Sequence, residues 1–369
     1  MKADLHREKA ESREGGEPIR VLIVDDVKSA RDLLEEILTT DPRFQVVGAV
    51  GDGLEAVATA LKLRPDLVTM DIRLPGIDGF QAVERILDVF SVPIVMITAS
   101  MDNQEEKLFR AITAGALDVL DKRELYVWRT RPQIRSSFLK KLRTLASTRV
   151  KRVTEFIHSG SKPILPFCSL QQSKAESPLV VALAASTGGP SALVRVLGGI
   201  TPQVHAAFLV VQHMSRGFLE GLVRWLDNEM ELEVKKAREG DSLEAGVVLV
   251  APGDHHLTVT EMDTVHLERS HPINGHRPSA EALFASVASN YGKRGVGVIL
   301  TGMGSDGAEG LKSIRLCGGH TIAQDEQTSI IFGMPRAAIE LGAAEVVLAL
   351  DEIGPQIMKW VFEQQDSEH

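Results

Sequence analysis

A serine, a histidine and an aspartate stand out because each follows an apolar run where it breaks into small or polar residues. Ser186 ends PLVVALAAS and is followed by TGGP. His213 closes on AAFLVVQHM, and Asp306 lies in GMGSDG after the run GVGVIL. A serine hydroxyl is a weak nucleophile until a base takes its proton. Histidine near neutral pH can take it, and a buried carboxylate can fix the tautomer and stabilise the imidazolium. The apolar runs read as strands, and PSALVRVLGGI reads as a helix opened by Pro190. The three residues then lie at or just past strand ends of one parallel sheet, where a serine hydrolase could assemble them. The Ser186 loop alone stays ambiguous. Its glycines let backbone approach a substrate, and the helix N-terminus suits a phosphate as well as an oxyanion. The order Ser, His, Asp and the absence of a G-x-S-x-G elbow exclude an ordinary α/β-hydrolase.

A second constellation lies earlier. IRVLIVDD, QVVGAV, DLVTMDI, PIVMITA and ALDVL are short Val- and Ile-rich runs, separated by stretches such as SARDLLEEIL with apolar residues at helical spacing. Polar residues collect where those runs end: Asp25 and Asp26, then Asp71, Thr98 and Lys122. Three converging carboxylates repel one another unless a cation joins them, and hard oxygen ligands suit Mg²⁺. A lysine and a hydroxyl alongside could hold the oxygens of a phosphoryl group carried on a carboxylate. Any one of the five alone reads as a turn or cap residue; five at successive strand ends read as a site.

Both constellations require the same scaffold. The expected fold is α/β: two doubly wound parallel-sheet domains, flavodoxin-like and Rossmann-like, joined by a linker. The expected boundaries are a disordered tail over 1–18, a first domain over 19–148, a linker over 149–177 and a second domain over 178–369. A chain of 369 residues suits two domains, and 44% hydrophobic with 25% charged residues is ordinary for a globular protein. No apolar run reaches the roughly 18 residues of a membrane span, and the charged N-terminus lacks a secretion signal. Two distant cysteines, Cys168 and Cys317, fit a reducing compartment, so the cytoplasm is expected. A net charge of -9 argues against nonspecific nucleic-acid binding by the whole chain. Residues 129–152 run against that balance, with nine Lys or Arg and no acid. They read as a solvated amphipathic helix opening near Pro132 or, alternatively, as a docking surface for an acidic partner.

The motifs VLIVDD, MDIRLPGIDGF, ITAS and the lysine after ALDVL resemble the response-regulator receiver domain over about residues 19 to 147. The resemblance implies Asp71 as phosphoacceptor. It implies Mg²⁺ on Asp26, Asp71 and the Arg73 carbonyl, with Asp25 through water, and phosphoryl contacts from Thr98 and Lys122. Val119 departs from the usual aromatic switch residue, and Arg123 from the usual proline. From about 178 to 366, STGGP, QHM, APGDHHL, HRPSAEALF, ILTGMGSDGAEGL and QDEQTSIIFGMP resemble, in order, the catalytic domain of the CheB family of chemotaxis protein-glutamate methylesterases. That implies Ser186 as nucleophile, His213 as base and acid, Asp306 as its orienting carboxylate, and the N–H groups of Thr187 and Met303 as oxyanion hole. It implies no cofactor in the catalytic domain. The implied partners are methyl-accepting chemoreceptors as substrate and a chemotaxis histidine kinase as phosphodonor, with no nucleic acid and no membrane insertion. In that family the unphosphorylated receiver obstructs the catalytic cleft.

Other features read more plainly. His255, His256, His266, His271 and His276 are dense but fit no common zinc spacing. Arg277 and Ser279 are candidates for lining the cleft, and Cys317 reads as structural. Two competing readings are a docking module without catalysis and a phosphate-binding domain using the Ser186 loop; the second lacks the ribose-binding acid expected downstream.

Overall fold

The computed structural model describes residues 17–99, 109, 112, 115–148 and 178–367. The expected linker, and all but residues 17 and 18 of the expected tail, lie outside the described residues. The chain divides into two compact units; among the described residues the first holds 17–99, 112 and 115–148 and the second 178–367.

The first unit is a five-stranded sheet of β1 (Ile19–Val24), β2 (Phe44–Val50), β3 (Leu67–Met70), β4 (Ile94–Thr98) and β5 (Asp118–Asp121). Its order is β2-β1-β3-β4-β5 and every pairing is parallel. β3 and β4 are buried at every residue, which is why their sequences are apolar without alternation. The helices are α1 (Lys28–Thr39), α2 (Gly53–Leu63), α3 (Gly79–Val89), the short α4 (Lys122–Leu125) and α5 (Pro132–Ala146). Asp52 and Asp78 cap α2 and α3 by accepting N–H bonds from their first turns. Proline opens α5, and Phe138, Leu139, Leu142 and Leu145 form its buried stripe. The end of the basic segment, residues 149–152, lies outside the described residues. Between β1 and β3 the strand order reverses direction, which leaves a crevice at their carboxyl ends.

The second unit has seven parallel strands in the order β14-β13-β12-β6-β7-β9-β8. They are β6 (Leu179–Ala185), β7 (Ala206–Gln212), β8 (Glu233–Lys236), β9 (Val247–Val250), β12 (Gly295–Ile299), β13 (His320–Gln324) and β14 (Val346–Leu348). A separate antiparallel hairpin joins β10 (His256–Val259) to β11 (Val265–Glu268). Helices α6 (Gly189–Leu197), α7 (Arg216–Glu229), α8 (Ala280–Tyr291), α9 (Ala308–Leu316), α10 (Met334–Glu340) and α11 (Leu350–Ser367) complete the unit. β6, β7 and β12 are buried throughout. The chain leaves β6 for β7 on one side and returns to β12 on the other, so the switch-point crevice opens at the end of β6, where Ser186 stands. Both sheets are doubly wound, as expected; the hairpin was not foreseen. No helix among the described residues is long and apolar enough to cross a membrane.

Candidate functional site

In the second unit, register brings the serine and histidine together. Ala185 pairs with Gln212, and the His213 N–H donates to the Ala185 carbonyl at 2.9 Å. Ser186 and His213 therefore leave adjacent parallel strands side by side. The Ser186 N–H donates to the Thr301 carbonyl at 3.0 Å, tying the serine to the chain beyond β12. A Cβ on Gly302 would stand 2.7 Å from Ser186 Cβ and 2.4 Å from Met334 Sδ, so only glycine fits behind the serine.

Asp306 lies in the turn before α9, and its Oδ2 is 2.9 Å from His213 Nε2. The carboxylate receives two further hydrogen bonds: Ser279 Oγ donates to Oδ1 at 2.6 Å, and the Ala280 N–H to Oδ2 at 2.7 Å. Ala280 opens α8, so the carboxylate sits at a helix N-terminus. Burial works to raise its pKa, but His213, Ser279 and the Ala280 N–H outweigh it and hold the carboxyl below its usual range. With Nε2 facing Asp306, the second ring nitrogen, Nδ1, is left buried without a hydrogen-bond partner. The His276 ring stacks on His213 at 4.0 Å between centroids and 9° between planes.

The glycines after Ser186 answer first to the protein's own packing rather than to a substrate. Gly188 adopts φ +79°, and a Cβ on Gly189 would fall 1.9 Å from Gln212 Oε1. Gln212, 2% exposed, donates through Nε2 to the Ser186 carbonyl at 2.7 Å and the His213 carbonyl at 3.0 Å. Sequence reading missed Gln212 and the stacking role of His276, and named Ser279 only as a cleft candidate. The one available signal was adjacency, since Gln212 precedes His213 and HRPS carries both His276 and Ser279. Nothing local announced Thr301 or Gln324, whose Oε1 accepts the Thr301 N–H at 2.8 Å.

The other histidines go to separate partners. His256 accepts the Ser279 N–H at 3.2 Å, His255 meets Asp254 at 2.8 Å, and His266 meets Glu239 at 2.9 Å. Arg277 donates to the Ser270 carbonyl at 2.6 Å. Cys317 is exposed just past α9; Cys168 lies outside the described residues.

In the first unit, ligand atoms of Asp25, Asp26 and Asp71 all lie within 4.8 Å of one another. Lys122 Nζ stands 2.6 Å from Asp71 Oδ2 and 2.6 Å from Asp25 Oδ2. Asp71 Oδ1 accepts the Ile72 N–H at 2.7 Å, and Asp25 Oδ1 accepts the Val27 N–H at 3.0 Å. Burial raises the Asp25 pKa, with Asp71 adding repulsion and Lys122 only partly offsetting it. Burial also opposes the Lys122 charge, but the two carboxylates hold its pKa above the ordinary value. Thr98 is buried at the end of β4, while Asp26 and Arg73 are exposed. Val119 is buried within β5, and Arg123 donates both backbone N–H and guanidinium to Asp121, a backbone bond that proline could not make. Part of the basic segment is spent internally: Arg129 pairs with Glu36 at 2.6 Å and Lys141 with Asp118 at 2.8 Å.

This fold, with an acidic strand-end cluster beside a lysine in one unit and a serine, histidine and aspartate at the switch point of the other, defines a two-domain α/β protein of the response-regulator class. The family model for the response regulator receiver domain matches residues 21–125, and that for CheB methylesterase matches residues 181–357. The chain is 42% identical over 92% of its length to protein-glutamate methylesterase/protein-glutamine glutaminase 2 of Anaeromyxobacter dehalogenans, covering 96% of that protein. It is 37% identical over 94% to the protein-glutamate methylesterase/protein-glutamine glutaminase of Pyrococcus horikoshii, covering 94% of it. The crystal structure of the Thermotoga maritima CheB methylesterase catalytic domain is 37% identical, spans 50% of this chain and 99% of its own, and superposes with a TM-score of 0.48. The chain belongs to the CheB methylesterase family.

Proposed function

We propose that the chain is a phosphorylation-controlled hydrolase that removes methyl groups from γ-glutamyl esters of chemoreceptors and deamidates receptor glutamines, in the cytoplasm. The observation that carries this reading is the His213–Asp306 contact on the strand next to Ser186. In the neutral tautomer the proton on Nε2 is donated to Asp306, which leaves the Nδ1 lone pair as the base. Ser186 Oγ attacks the γ-carbonyl carbon while His213 takes the hydroxyl proton, and the carbonyl π pair moves onto oxygen. The N–H groups of Thr187 and Met303 receive that oxyanion; one such donor is worth about 3–4 kcal/mol. The adduct collapses, the bond to the methoxy oxygen breaks, and methanol leaves with the proton from His213. Water attacks the acyl-enzyme by the same route, frees the glutamate carboxylate and restores Ser186. With glutamine, ammonia leaves in place of methanol.

The receiver is assigned to residues 19–148, the catalytic domain to 178–369, and the linker to 149–177. Asp71 is the phosphoacceptor, supplied by a chemotaxis histidine kinase, with Thr98 and Lys122 contacting the phosphoryl oxygens. The acidic cluster fits a hard divalent cation: three carboxylates lie together, only Asp25 and Asp71 pair with Lys122, and burial with repulsion from Asp71 raises the Asp25 pKa. Asp26, Asp71 and the Arg73 carbonyl would hold Mg²⁺, with Asp25 through water. That ion, when bound, neutralises charge on the transferring phosphoryl group. Methanol release from methylated receptor, measured for wild type and Ser186→Ala, tests the reading. Comparable release by the two proteins would overturn it.

A further inference from the structure

The proposed oxyanion donors belong to two peptide planes, and each plane is held from behind. In a trans peptide the N–H points opposite to the C=O, so fixing the carbonyl aims the N–H. The only cis peptide among the described residues is Arg277–Pro278, so both planes are trans. The carbonyl of the Ser186–Thr187 peptide accepts from Gln212 Nε2 at 2.7 Å and from the Gly189 N–H at 2.9 Å. The carbonyl of the Gly302–Met303 peptide accepts from the Gly333 N–H at 3.1 Å and the Met334 N–H at 2.8 Å. Thr301, 1% exposed, connects the two sides: its Oγ1 donates to the Thr187 carbonyl at 3.0 Å and accepts the Ile331 N–H at 2.9 Å.

We infer that Gln212 is a positioning residue for the oxyanion hole, holding the Ser186–Thr187 peptide so that the Thr187 N–H is aimed at the developing charge. The segment from Ile331 to Met334 does the same for Met303 with backbone alone, which gives SIIFGMP a task. Gln212 suits the role because both groups it meets are carbonyl oxygens. Only a donor is tolerated there, so the amide nitrogen must face them. Its second bond, to the His213 carbonyl, keeps the nucleophile's peptide and the base's peptide in one frame. The inference rests on the hydrolase reading above.

The test uses the full chain. Gln212→Met keeps the length and volume but removes the donor. Gln212→Glu keeps the shape and turns an acceptor toward two acceptors. A misaimed donor should cost about ten- to a hundredfold in kcat, below the 10²–10³ of outright loss, with KM within about twofold. Affinity for a γ-glutamyl trifluoromethyl ketone, which forms an oxyanion adduct on serine, should fall by the same factor. Gln212→Glu should be at least as impaired as Gln212→Met, and it supplies the result should the methionine variant not fold. An unchanged kcat in either variant, or a fall in kcat with no parallel loss of ketone affinity, overturns the inference. Ester hydrolysis that survives Ser186→Ala overturns the hydrolase reading instead, so the two failures are distinguishable.

Discussion

Asp25 and Asp306 are similarly hidden, at 1% and 2% exposure, Asp25 directly after β1 and Asp306 in the turn between β12 and α9. Their pKa values move in opposite directions. Burial penalises both anions. Asp306 faces a histidine, a serine hydroxyl and a helix N-terminal N–H, all of which favour its charge. Asp25 shares one lysine with Asp71, and Asp71 repels it. Burial pushes both carboxyls up, and the partners decide which way each pKa finally moves. One site is a finished structural anion. The other holds charge in excess, which suits it to receive a cation and a phosphoryl group.

The largest expected effect tests the finished side. His213→Ala should lower methanol release by about 10⁴-fold or more, because such residues act as a unit, and Asp306→Asn by roughly one to two decades less. Equal turnover in Asp306→Asn and wild type would break the comparison, since its three donors would then hold a carboxylate without purpose. On the other side, Asp71→Asn should abolish any stimulation by a small phosphodonor such as acetyl phosphate while leaving unstimulated turnover in place. Stimulation that persists in this variant would move the phosphoacceptor elsewhere.

Two smaller effects sharpen the contrast. Ser279→Ala removes one of three donors from Asp306, and a hydrogen bond to a charged group is worth about 1.5–3 kcal/mol. It should cost about tenfold in kcat with KM little changed; an unaltered kcat would show that two donors suffice. The smallest effect is on stability. Because the folded-state pKa of Asp25 is raised, its ionised form costs the fold stability above that pKa. The cost fades as pH falls toward the unfolded value of about 4. In EDTA, the receiver transition of wild type should therefore gain in Tm on Asp25→Asn as pH falls from 7 toward about 4. At pH 7, Mg²⁺ should raise the wild-type Tm. A gap between the two proteins that ignores pH would mean that Lys122 already neutralises the cluster.

Much of this was legible because strand ends are punctuated. VLIVDD and LVTMDI switch from apolar to acidic where the buried sheet stops, and PLVVALAAS switches to serine for the same reason. Helix openings were equally plain: Pro132 and Pro190 both stand in first turns. The short antiparallel hairpin at 256–268 was harder, since HLTV and VHLE are too brief and mixed to separate from loop by pattern.

The sequence by itself determined the two parallel α/β scaffolds and the residues of both constellations, because burial on both faces forces continuous apolar runs and pushes polar chemistry to their ends. It could not reveal that Gly189 is small to admit Gln212, or that Gly302 is small to admit Ser186. Nor could it reveal that Ser279, 27 positions before Asp306, completes that carboxylate's shell. Those relations depend on which strands become neighbours. β12 returns beside β6 only after more than a hundred residues, and hydrogen bonds between groups so far apart in the chain exist only once the sheet order has closed.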